Sequence, residues 1–186
     1  MINKEYFDEN AMQVTHKLFS AERSVQLKNI LNQKDYLSLL ESAKRSYTNH
    51  IIEPLLYSYR STSFTNKKVI RSIQEITEKV TQKSLSLQHA TLFRFQHRDY
   101  TLLYDDMKED IGVLAILELT PHWKEEFGGA TFFMKKSEEF LRVIPSQNTL
   151  TIAEMTKDLR KFVKYINHTA TNRKRYVIEL LFAIKK

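Results

Sequence analysis

The chain has 186 residues, of which 42% are hydrophobic and 27% charged, with a net charge of +7 and no cysteine. That length fits one domain, residues 1–186, with a sizeable core, and the absence of cysteine excludes disulfides, thiolate metal ligands and a thiol nucleophile. No apolar run approaches the ~18 residues of a bilayer span, and the opening "MINKEYFDEN" is too acidic for a signal peptide, so the expected location is cytoplasmic with no membrane partner.

Residues 1–85 read as mainly helical support. "LFSAERSVQLKNILNQ" predicts a helix capped at Ser20, with Val25, Leu27, Ile30 and Leu31 on its apolar face. "KDYLSLLESAKRSY" predicts a second, through Leu37, Leu39, Leu40 and Ala43. The clearest helix is capped at Thr65 or Asn66 and carries Val69, Ile70, Ile73, Ile76 and Val80 at helical spacing. Between these helices, "IIEPLLYSYRSTSF" suits an edge strand or a loop around Pro54.

Residues 86–186 read as sheet. "LSLQHATLFRFQ", "YTLLYD", "VLAILELT", "ATFFM", "LRVIPS", "TLTIAE", "FVKYINH" and "RYVIELLFAI" are short strands separated by turn-forming or charged segments. About eight strands in about one hundred residues indicate an antiparallel sandwich or barrel. Helices first and sheet afterwards give an α+β class, with helices on one face of the sheet. The basic residues are spread among acidic ones except in "NRKRY", 172–176, the only candidate for a nucleic-acid contact. A lysine-rich surface accounts for the same charge without a partner.

Taken in order, the second half resembles the Fe(II)/2-oxoglutarate-dependent dioxygenases, in their prolyl-hydroxylase-like branch. The resemblance rests on "LFRFQHRDYTLLYDD", on Trp123 ahead of Gly128-Gly129 and a strand, on Pro145 and Asn148 ahead of the next, and on Arg175 opening the last. "FSAERSVQLKNIL" resembles the family's usual opening helix. It implies a double-stranded β-helix, or jelly-roll, core. It also implies an iron held by two histidines and a carboxylate, with open positions for 2-oxoglutarate and O₂. In that family a basic residue grips the distal carboxylate of 2-oxoglutarate, an arginine through its planar fork, and the resemblance implies that role for Arg175, with Arg173 as the alternative claimant.

The iron ligands depart from the family pattern. The family's interval from first histidine to Trp falls on Tyr104, with Asp106 as the carboxylate, and the interval from second histidine to arginine falls on Lys164. A lysine ammonium has no lone pair and opposes a cation, so in this register Lys164 pairs with Asp106, with Tyr104 beside them and no metal. The rival register takes the literal residues His97, Asp99 and His168. Strand alternation would set Phe162, Lys164, Ile166 and His168 on one face, which leaves a mixed Asp106–His168 site open too. Two functions follow. One is an oxygenase that hydroxylates a protein side chain or a small molecule, with metal ligands among Asp106, His168, His97 and Asp99. The other is a binding or scaffolding module on an oxygenase fold, with no cofactor.

Overall fold

The computed structural model describes residues 1–102, 111–136 and 138–185. Helix α1 (Glu9–Glu22) starts where the Asp8 side chain accepts the Ala11 N–H at 3.0 Å, and stops at Arg23, which turns left-handed with φ 55. The predicted helix from Ser20 to Leu31 therefore does not form. Residues Ser24–Lys28 are a strand, β1, with Leu27 buried between exposed Gln26 and Lys28. Val25 and Leu27 fit a period of two as well as a helical one, and pairing with a distant strand decides between them.

Helix α2 (Gln33–Arg45) is capped by Asn32 and α3 (Lys67–Thr81) by Asn66. Both bury the faces that their spacing predicts, except that Leu37 is exposed. Between them, β2 (Asn49–Glu53) and β3 (Tyr57–Ser63) form a hairpin. The remaining strands are β4 (Leu85–Gln96), β5 (Tyr100–Thr101), β6 (Gly112–Glu118), β7 (Thr131–Lys135), β8 (Glu138–Val143), β9 (Thr149–Met155), β10 (Leu159–Val163) and β11 (Lys174–Ile184).

An eight-stranded sheet runs β1-β9-β6-β11-β4-β3-β2, with β5 also on β3, and a three-stranded sheet runs β10-β7-β8. Every pairing is antiparallel. The first 63 residues thus supply three strands of the large sheet besides their helices. The fold is α+β with a jelly-roll core. One apolar cluster lies between the helices and the large sheet, and a second lies between the two sheets. Asn148 staples the first to the strands. Its side chain accepts from the Leu31 N–H at 2.9 Å and donates to the Leu31 carbonyl at 2.7 Å.

The segment "FVKYINH" is not one strand. β10 ends at Val163, the Lys164 N–H then donates to the Ala130 carbonyl at 2.9 Å, and Ile166 bridges Gly128. Lys164 and Tyr165 are both exposed while Ile166 is fully buried, so the alternation breaks here. His168 opens a 3₁₀ turn capped by Asn167 and is exposed rather than stacked inward above Lys164.

Candidate functional site

The interior between the sheets is built by alternation along three neighbouring strands. On β11, Tyr176, Ile178, Leu180 and Phe182 join the helix-side cluster, and Val177 and Leu181 the inner one. Arg175 and Glu179 share the inner parity. On β6, Leu114 and Ile116 face inward, and Glu118 follows them in the same parity.

Arg175 and Glu118 are both 0% exposed and form a two-point ion pair. The Arg175 Nε donates to Glu118 Oε1 at 3.1 Å and Oε2 at 3.3 Å, and Nη2 donates to Oε1. The rest of the guanidinium crosses to the small sheet. Nη1 donates to the Gly129 carbonyl at 2.7 Å and Nη2 to Thr131 Oγ1 at 2.9 Å. The Phe95 ring lies 5.5 Å from the guanidinium carbon. Burial pushes the Glu118 carboxyl up from its ordinary range, and the Arg175 charge beside it opposes that push. A second pair, Lys161 to Glu179, links β10 to β11 across the same interior.

The Trp and the paired glycines set one end of this arrangement. Gly128 has φ 73, and a Cβ there would stand 2.2 Å from the Tyr165 carbonyl oxygen. Trp123 Nε1 donates to the Gly128 carbonyl at 2.9 Å. The glycine pair thus lets the chain after β10 lie against residues 128–130 and turns the Gly129 carbonyl toward Arg175.

The predicted ligands lie elsewhere. Gln96, His97, Arg98 and Asp99 make a tight turn in which Arg98 has φ 73 and the Asp99 N–H donates to the Gln96 carbonyl at 2.9 Å. Asp99 is 2% exposed. Its Oδ1 accepts from Ser58 Oγ at 2.9 Å, and its Oδ2 from the Gln96 N–H at 2.9 Å and from Arg60 at 3.4 Å. Burial raises its pKa and those three partners, with His50, pull it back. Backbone bonds join Arg98 and Asp99 to Ile166 at 2.9 and 3.0 Å, which brings this turn near His168. Tyr104 and Asp106 lie outside the described residues. Among the described residues no three of His, Cys, Asp and Glu come together to hold one ion. Of "NRKRY", Arg173 and Lys174 are exposed and Arg175 is turned inward.

Two buried charges at this site are not reached by the sequence reading, Glu118 and Glu179. The signal was present, since Glu118 is the lone charge in "VLAILELT" and Glu179 the lone carboxylate in "RYVIELLFAI". A charge in a strand buried on both faces needs a partner inside.

Residues 48–186 match the family model described as oxoglutarate and iron-dependent oxygenase degradation C-term. The chain belongs to that family. This member of the oxygenase superfamily is 34% identical over 101 residues to prolyl 3-hydroxylase OGFOD1 of Xenopus laevis, a stretch covering 52% of this chain and 19% of that protein. In fold it is similar to a prolyl-4-hydroxylase of Pseudomonas putida, with TM-score 0.72 and 12% identity over 94% of this chain and 99% of that one. It is also similar to a prolyl hydroxylase of Trichoplax adhaerens solved with a peptide of the hypoxia inducible factor oxygen degradation domain. There the TM-score is 0.76 and the identity 10%, over 97% of this chain and 92% of that one.

The superfamily's cofactors are iron and 2-oxoglutarate, and the residues around Arg175 do not fit the second of these. The distal carboxylate of 2-oxoglutarate needs a free arginine fork, and the Glu118 carboxylate already fills this one. Each guanidinium nitrogen has a partner within the protein, and the Phe95 ring stands beside it.

Proposed function

We propose that this oxygenase-like domain works as a binding module for a protein partner, without 2-oxoglutarate chemistry at Arg175. The observation that carries the reading is the Glu118 carboxylate in the Arg175 fork, where a cofactor carboxylate would have to compete with a covalently tethered one. The ligand register points the same way. Lys164 stands at the second-histidine interval, and Asp99 has both carboxylate oxygens engaged by protein donors. A protein as the partner is supported by the peptide held by the Trichoplax adhaerens enzyme and by the prolyl 3-hydroxylase relative.

The test is a titration of the purified protein with 2-oxoglutarate and Mn(II), read by thermal shift, beside a decarboxylation assay with Fe(II) and O₂. The expected result is no shift of the unfolding midpoint with 2-oxoglutarate and no turnover. Decarboxylation that disappears in Asp106→Ala overturns the reading and restores an iron centre.

A further inference from the structure

The hairpin at the edge of the large sheet carries two local penalties at one residue. Its turn, Glu53–Leu56, is closed by the Leu56 N–H donating to the Glu53 carbonyl at 3.0 Å. Pro54 takes the second position, and Leu55 takes the third with φ 70, where a type II turn favours Gly or Asn. Leu55 is also 83% exposed, and Tyr47, on the other side of β2, is 82% exposed. No other large apolar side chain among the described residues is as exposed as these two. A strained backbone and a bare leucine at one position point to a function paid for by local stability.

The strand between them is open. β2 ends the large sheet, and its outer edge has no strand on it among the described residues. Its five residues, "NHIIE", contain no Lys, no Pro and no register shift against β3, the usual protections of a free edge.

We propose that two copies of this chain pair through β2, antiparallel about a two-fold axis at Ile51. A two-fold interface matches residue i with j and j with i. Opposed pairs in an antiparallel ladder alternate in type, so the axis passes through a residue pair. Centred on Ile51, it sets the Glu53 carboxylate against the Asn49 amide, His50 against Ile52, and Tyr47 against Leu55, each twice. The strand's single carboxylate meets a neutral donor rather than its own copy. The two barest apolar side chains cover each other. An axis at His50 would set Arg45 opposite Leu55, and one at Ile52 would set Asn49 there, leaving Tyr47 unmatched in both. The pairing is independent of the reading of Arg175, and its failure leaves that reading untouched.

The chain lacks cysteine, so a single introduced thiol reports the register. Directly opposed residues have Cα atoms about 4.5–5.5 Å apart, inside the roughly 4.4–6.8 Å span of a disulfide. Under mild oxidation, Ile51→Cys is expected to form a covalent dimer at least about tenfold faster than Leu18→Cys, an exposed position on α1, because pairing raises its effective concentration. Sedimentation of the unmodified chain is expected to show a concentration-dependent dimer. Leu55→Gly relaxes the turn and removes the contact, so it is expected to shift the chain to monomer while the diluted monomer unfolds at no lower temperature. A chain that is monomeric at all concentrations, or equal cross-linking at the two positions, overturns the proposal. So does a monomer that instead captures a different protein through Leu55.

Discussion

Along β11, Ile178, Leu180 and Phe182 lie against the helices, whereas Arg175 and Glu179 point between the sheets with Val177 and Leu181. The helix side holds itself by apolar burial without an ion pair among its cluster residues, contributed chiefly by α2, α3 and alternate residues of β6, β9 and β11, with hydrogen bonds from Asn148 and Tyr36 at its border. The inner side spans two sheets and mixes apolar packing with two ion pairs: Arg175–Glu118 within the large sheet, from which Arg175 also donates to Thr131 of the small one, and Lys161–Glu179 between the sheets. The difference teaches how a charge is held between two sheets, where apolar packing alone would strand it. The cation stays, and a strand residue supplies the anion. A buried pair of this sort gains little over apolar packing but makes each partner dependent on the other.

That dependence gives the largest effect. Glu118→Ala strands the Arg175 charge in a closed interior, and the expected loss is about 3–5 kcal/mol of unfolding free energy. Adding Arg175→Met should recover most of that loss, because the double variant leaves no unpaired charge. Denaturant titration of the two single variants and the double measures this coupling, and additive losses would break the contrast between the faces. On the helix side no rescue of that kind exists. Ile178→Ala, at 0% exposure, should cost about 2–5 kcal/mol through lost transfer and a cavity, whatever stands at Arg175 or Glu118. Coupling between Ile178→Ala and Glu118→Ala in the same titration would show that the two faces are not independent.

How much of this is legible in the sequence depends on whether the deciding contact is local. α3 was legible to its cap, because Asn66, Val69, Ile73, Ile76 and Val80 state a helix within fifteen residues. β4, β6 and β9 were legible as apolar runs between turn signals. Residues 24–28 were not, since Val25 and Leu27 serve either period and the choice was made by Leu150 and Ile152 of β9, far along the chain. The break after Val163 was hidden for the same reason. It follows from the approach of Gly128 to Tyr165. At the inner site Arg175 was legible through the family pattern, but its partner was not. Glu118 sits in an apolar strand, and only the neighbouring position of β6 and β11 brings the two charges together. His97 and Asp99 stand in a turn closed by the Asp99 N–H, and the partners of the Asp99 carboxylate include Ser58 and Arg60, about forty residues earlier, which local spacing does not reveal.

Glu154 gives the smallest effect and the cleanest contrast in sign. It lies near the end of β9, next to the edge strand β1, between Lys83 at 2.6 Å and Arg23 at 2.8 Å. Partial burial pushes its carboxyl up, but the two cations together outweigh burial and hold it below the ordinary carboxylate range. A carboxyl lowered by folding contributes stability that is present above its unfolded pKa and is lost as pH falls through the folded one. Glu118 runs the other way. A carboxyl raised by folding contributes stability that is present below its unfolded pKa and is lost as pH rises through the folded one. Glu154→Gln should therefore flatten the acid limb of the stability curve and leave its neutral region lower by no more than about 1 kcal/mol. Because Arg23 is largely exposed, added salt should shrink that difference. Glu118→Gln should leave the salt dependence unchanged, because its pair is sealed from the solvent that screens Glu154.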